Sequence, residues 1–168
     1  MFWRTTKSDR GFTIIELVVV LVIVGIMAGL ATPNLLGFFR RNQVNAALSE
    51  LLGAIRETQR QAMGQGRVCR IYIDPDTNIL SATPSDCLLN TRTIDPDINI
   101  KTNLPGANPN ISFSHKGNTT RMGTVVLSSN LIQHQRCFVI SLGLGIMRTG
   151  YYTERADGRI SARNCQNR

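Results

Sequence analysis

The chain has 168 residues, 42% of them apolar and 18% charged, with a formal net charge of +8. Beyond an N-terminal helix of about fifty residues that length leaves one small domain with a core and excludes two. The four cysteines form no Cys-x-x-Cys, and His115 and His134 lack metal-ligand spacing, which argues against zinc.

A short basic leader comes first, with Arg4, Lys7 and Arg10 set against Asp9. An apolar run from Phe12 to Ala31 follows, about twenty residues and long enough to cross ~30 Å of hydrocarbon. The charge asymmetry predicts that the leader stays cytoplasmic and the remainder lies outside. Within the run sits a single carboxylate, Glu16. Left unpaired in a membrane segment it costs roughly 2 to 3 kcal/mol, so its presence predicts a positive partner. A cut after Gly11 creates one, the α-amino group of Phe12, which Glu16 of a neighbouring subunit would neutralise in a low-dielectric setting. Such a pair sets register between packed helices. A secretory signal peptide is a rival reading, with Gly29 to Ala31 as a small-residue cleavage site. Against it, the charge lies inside the run and helical patterning continues past Ala31. An ordinary single-pass anchor explains the apolar run but does not require Glu16.

Past the span, Val44, Leu48, Leu51, Ile55 and Ala62 recur at helical steps, while Arg40, Arg41, Glu50, Arg56, Glu57 and Arg60 fall mostly elsewhere. One helix is therefore predicted over 12–64, with 12–31 transmembrane and 32–64 amphipathic and packed on a sheet. Gly64-Gln65-Gly66 ends it. Pro33 removes one backbone hydrogen bond inside this helix and predicts a kink there, softened further by Gly25, Gly29 and Gly37. The spacing Gly25-x-x-x-Gly29 suits close helix approach but is too common to carry weight.

After Gly66 the pattern alternates. Cys69, Ile71 and Ile73 share one face of a strand, the turn Asp74 to Asn78 follows, and Ile79 to Thr83 returns as the hairpin partner. Further strands are expected at Ile98 to Lys101, Ile111 to Ser114, Gly123 to Ser128 and Cys137 to Ser141. The stretch 102–110 is loop. A last hairpin turns at Leu142 to Gly145 into Ile146 to Tyr152, leaving a polar, Arg-rich tail over 153–168. The fold class is α+β, a long N-terminal helix laid on a small antiparallel sheet domain over 65–168. Four cysteines allow three connectivities; nearness along the chain favours Cys69 with Cys87 and Cys137 with Cys165, in an oxidising compartment.

The sequence Arg10-Gly11-Phe12-Thr13-Ile14-Ile15-Glu16-Leu17 resembles the start of the type IV prepilin family, including the pseudopilins of type II secretion, and the resemblance is strongest over residues 8–45. It implies a leader, 1–11, removed by a prepilin peptidase that also N-methylates the new terminus. Gly11 and Phe12 are then the processing residues and Glu16 the assembly residue. It also implies a pilin-like fold, an inner-membrane location before assembly, and other pilins and an inner-membrane assembly platform as partners. In that family a Pro stands where Pro33 does, in a region that loosens on packing into a filament. The globular half is most similar to the H-type pseudopilins and the T- and U-type minor pilins, on Phe113, Gly117, the run Arg136 to Ser141, and Gly145 to Gly150. That likeness implies a subunit of low abundance near the filament tip that helps initiate assembly.

Catalytic and cofactor readings find little. The segments Asp74 to Asn78 and Asp95 to Asn99 alternate oxygen ligands as a calcium loop does, but lack its glycine and distant glutamate and read as Asx or Pro turns. Gly143-x-Gly145 has neither the third glycine nor the helix that a pyrophosphate requires, and no nucleophile stands with a base. Neither catalysis, cofactor nor metal is predicted. Asn110-Ile111-Ser112 and Asn118-Thr119-Thr120 match glycosylation sequons of a kind that arises often by chance. The leader accounts for about +2 of the charge and leaves the rest near +6, with Arg148, Arg155, Arg159, Arg163 and Arg168 crowding the end. A patch of that kind binds phosphate backbones, with affinity that falls as salt rises. Some T-type minor pilins take up DNA through Gly-Arg-x-Arg; here Gly158-Arg159 is kept, but the next arginine, Arg163, comes two positions late. DNA is thus the alternative partner, against a solvated cationic surface or one facing an acidic neighbour.

Overall fold

The structure is a computed structural model that describes residues 11–154 and 158–167, and the side chains of 30–34 lie outside the description. It has one long helix, α1 (Ile14–Gly64), and nine strands: β1 (Cys69–Ile73), β2 (Ile79–Thr83), β3 (Arg92–Thr93), β4 (Ile98–Thr102), β5 (Asn110–Phe113), β6 (Gly123–Ser129), β7 (Ile132–Ile140), β8 (Met147–Tyr152) and β9 (Cys165–Gln166). The chain divides into two compact units, 1–38 and 39–168.

In the first unit the large apolar side chains are all exposed from Phe12, just before α1, at 82%, to Met27 on it, at 66%. Among the described residues no helix is long and apolar enough to cross a membrane; the expected span runs on to Ala31, where side chains are outside the description. The helical assignment continues through position 33, and the kink expected at Pro33 rests on a side chain that is not described.

In the second unit the helix gives one face to the core. Val44, Ala47, Leu48, Leu51, Ala54, Ile55 and Ala62 are buried, and Thr58 in the same stripe donates its hydroxyl to the Ala54 carbonyl at 2.9 Å, satisfying the polar group there. The helix ends as its glycines dictate. Gly66 adopts φ +65°, and the amide of Arg67 donates to the Ala62 carbonyl at 3.2 Å, the bond that closes a helix with a left-handed residue.

All strand pairings are antiparallel, but they form two sheets rather than the single one expected, ordered β3-β2-β1-β5 and β4-β6-β7-β8-β9. Alternation puts Cys69, Ile71, Ile73, Ile111 and Phe113 of the first sheet, and Ile98, Ile100, Val125, Leu127, Phe138 and Ile140 of the second, into one core with the helix stripe. Each fully buried Ile, Leu or Phe there contributes roughly 1.5 to 3 kcal/mol. Asn78, with φ 56°, joins the sheets: from the β1–β2 turn its side-chain amide donates to the carbonyls of Asp95 at 3.1 Å and Ile98 at 2.8 Å. Asp74 stiffens the same turn by accepting from the Asp76 amide at 2.9 Å and the Thr77 hydroxyl at 2.7 Å.

The second sheet buries its other face too. Val126, Cys137, Val139, Tyr152 and Cys165 form a separate cluster, with Ile160 and Ala162 packed on it. The segment expected as a polar tail is therefore, over its described part, a strap. It ends in a 3-10 turn (Ala162–Asn164) and β9, which pairs with β8. Disulfides join Cys69 to Cys87 and Cys137 to Cys165, the latter fastening strap to sheet. Gly150 permits this approach, because a side chain there would fall on the Gln166 carbonyl.

Candidate functional site

The residues expected to serve processing and assembly, Gly11, Phe12 and Glu16, lie together at the start of α1. Gly11, Phe12 and Thr13 precede the helix, all exposed. The Thr13 hydroxyl oxygen accepts from the amide of Glu16 at 3.3 Å, and the Thr13 carbonyl accepts from Leu17 at 3.2 Å. Thr13 is thus the N-cap. It stands three residues before Glu16, the Thr-x-x-Glu spacing of a capping box, and that spacing was readable in the sequence although no role followed from it there. Glu16 belongs to the first helical turn, where the backbone dipole favours a carboxylate. It makes no ion pair among the described residues.

The candidate cationic residues are partly gathered. Arg148 on β8 donates from Nη2 to the Ala162 carbonyl at 2.5 Å, which brings it against the strap that carries Arg159 and Arg163. Strap and sheet are further tied by the Tyr152 hydroxyl, which donates to the Arg159 carbonyl at 3.3 Å and accepts from the Ser161 amide at 3.2 Å. The side chains of Arg148, Arg159 and Arg163 are exposed. Arg155 and Arg168 lie outside the described residues.

Sequence reading missed an ion pair that fixes the segment between β2 and β4. Glu57, on α1 and 8% exposed, pairs with Arg92 of β3 and accepts from the Leu89 amide at 2.8 Å. Arg92 also reaches Glu50 at 3.3 Å. Its guanidinium crosses α1 over Gly53, where a β-carbon would stand 2.9 Å from Nη1. A glycine in the middle of an amphipathic helix, flanked by two acids, was the one available signal.

His134 on β7 is half-buried, its ring edge-on to Tyr151 with centroids 5.5 Å apart. Arg136 lies over the same Tyr151 ring, 4.4 Å from its centroid. Burial, and then the charges of Arg136 and Arg41, hold the His134 imidazole below its ordinary value of 6.5. Among the described residues no group of three or more metal-ligating side chains occurs.

Residues 6–32 match the prokaryotic N-terminal methylation motif. The chain is 35% identical over 80 residues to a fimbrial protein of Pseudomonas aeruginosa, covering 48% of this chain and 46% of that one. It is 41% identical over 49 residues to the type II secretion system core protein G of Escherichia coli strain K12, covering 29% and 34%. It spans about half or less of the length of these relatives. The crystal structure of the type IV minor pilin FimU of Pseudomonas aeruginosa strain PAO1 superposes with a TM-score of 0.54 at 19% identity, over 66% of this chain and 90% of that one, a likeness of fold. The chain thus joins an N-terminal methylation motif, sequence similarity to pilins and pseudopilins over about half or less of its length, and a fold like that of a minor pilin.

Proposed function

We propose that the chain is a minor pilin or pseudopilin, assembled through α1 into a type IV pilus or a type II secretion pseudopilus, where it acts in initiation or at the tip. The peptidase cuts after Gly11 and methylates the Phe12 amine. In the filament that ammonium group pairs with Glu16 of a neighbouring protomer. The observation that carries this reading is Glu16, the lone acid in the helical stretch 14–29, whose large apolar side chains are exposed all round. Such a surface requires lipid or other helices around it, and a carboxylate within it requires a cation. Before assembly the helix holds the protein in the inner membrane with the rest outside the cytoplasm, docked to the assembly platform.

Intact-mass and fragment analysis of the protein isolated from cells tests this. The expected chain begins at a methylated Phe12; a chain beginning at Met1 or at Thr32 overturns the reading. Gly11→Ala is expected to leave the leader attached, because the cut needs a residue without a side chain.

A second reading, DNA capture for uptake, draws on Arg148, Arg159 and Arg163, with Arg155 beside them in sequence. Its support is that Arg148 is held against the strap bearing the other two. Full-length protein in detergent is then expected to retain duplex DNA at low salt and lose it steeply as salt rises, with Arg159→Gln and Arg163→Gln weakening the retention. Absence of binding at low salt leaves the structural role alone.

A further inference from the structure

The strap does not cover the whole outer face of the second sheet. A cavity of about 580 Å³ remains between the loops before β6 and after β7 and the strap at Ala162. Thr124 of β6, Val139 of β7 and Arg148 of β8 line it, all three on the sheet face that carries the outer apolar cluster. Its lips are apolar and exposed: Leu142 at 61% and Met122 at 59%. Leu144 and Ile146 are exposed in the same loop, so the apolar surface extends beyond the recess itself.

Two polar features make this more than an uncovered patch. Thr124 is 1% exposed, and its hydroxyl, buried in the lining, has no hydrogen-bond partner among the described residues. Its backbone is satisfied, the amide by Asn103 Oδ1 at 2.7 Å and the carbonyl by the Asn103 amide at 3.1 Å. A buried hydroxyl without a partner costs free energy that a docked polar group recovers. The second feature is charge. Arg148 forms part of the wall and Arg163 stands on the strap beside it, and among the described residues neither pairs with a carboxylate.

We propose that this recess docks a segment of a partner protein in which an apolar side chain is flanked by an acid. The apolar side chain fills the space over Val139 between Leu142 and Met122, a polar group of the segment meets the Thr124 hydroxyl, and the carboxylate meets Arg148. A second copy of this chain is disfavoured as the occupant, since even without the leader its net charge near +6 would bring like charge to a cationic rim. A phosphate backbone answers the arginines but leaves the apolar lips and Thr124 unmatched. The proposal rests on the reading of the chain as a subunit that works among other proteins, and it supplies that subunit with a contact outside α1.

The test pans a random-peptide display library against the full-length protein in detergent, then measures resynthesised peptides by fluorescence polarisation. Enrichment of sequences with a large apolar residue beside Asp or Glu is expected. Leu142→Asp and Arg148→Glu should each weaken binding about tenfold or more; Leu142→Asp, a surface change, should leave the melting temperature unchanged, whereas Arg148→Glu also gives up its bond to the Ala162 carbonyl and should lower it slightly. Leu142→Asp should still begin at Phe12 in cells, so loss of docking is read separately from failure of processing. The proposal is overturned by any of four results: no enrichment, selected peptides lacking an apolar residue, binding untouched by both variants, or self-association that Leu142→Asp abolishes. Duplex DNA that competes with the peptide yet binds equally well to Leu142→Asp would also overturn it, in favour of phosphate recognition.

Discussion

The Thr13 hydroxyl oxygen lies 3.3 Å from the Glu16 amide, so the residue that caps α1 also sets the backbone position of the one acid in its apolar stretch. Replacing Thr13 with Ala leaves the carboxylate in place but removes the cap. We expect a cost of about 1 kcal/mol confined to the first turn. Amide hydrogen exchange in detergent should accelerate roughly fivefold at residues 14–17 and stay unchanged over 44–58.

Glu16→Ala separates maturation from assembly. The proposed cut lies after Gly11, five residues earlier in chain order, so the variant is expected to begin at Phe12 just as is proposed for the wild type. Incorporation into filaments should be lost, because on the proposed pairing the neighbour's ammonium group then has no counter-charge. Glu16→Asp is expected to recover part of it. Wild-type incorporation of Glu16→Ala would show that the carboxylate is not the assembly contact.

The Arg92 and Glu57 pair holds the 84–93 segment to α1 across 35 positions of sequence. Arg92→Ala leaves a largely buried carboxylate with only the Leu89 amide, and we expect a loss of about 1 to 3 kcal/mol. That figure is set below the value for a fully buried pair because Arg92 is 28% exposed. Glu57→Gln with Arg92→Leu, which removes both charges, should recover stability relative to Arg92→Ala. Chemical denaturation of the three proteins checks the order.

His134 gives the fold an acid sensitivity. Its folded-state pKa is depressed by burial and then by Arg136 and Arg41, so the unfolded chain takes up a proton first. The contribution of neutral His134 is fully present above its ordinary value of 6.5 and is lost as pH falls from there through the depressed value. Asp74 is also depressed, by the Thr77 hydroxyl and the turn amides, but its contribution is lost only at more acid pH, below its ordinary value of 3.8. Melting temperature should therefore decline in two windows on acidification. His134→Gln should remove the upper one and spare the lower.

Features of short range were legible in the residues. The helical steps of Val44, Leu48, Leu51 and Ile55, the alternation of Cys69, Ile71 and Ile73, and the glycines after Met63 each depend on local backbone geometry, so they follow from the order of residues. The acid at position 16 within an apolar run is likewise a property of the string itself. Other features depended on pairing across long distances. The division into two sheets, the two-residue strands β3 and β9, the reach of Arg92 to Glu57, and the packing of Ile160 and Ala162 on the outer sheet face all join segments whose own patterns are too short or too polar to announce a partner, whereas nearness along the chain already suggests the Cys137–Cys165 link. Sequence by itself determined the helix, its motif and most strands, because propensity and periodicity act within a few residues. Only the tertiary structure decided which arginines meet the strap and where a recess opens on the outer sheet face, because the core must form before the last residues have a surface to cover.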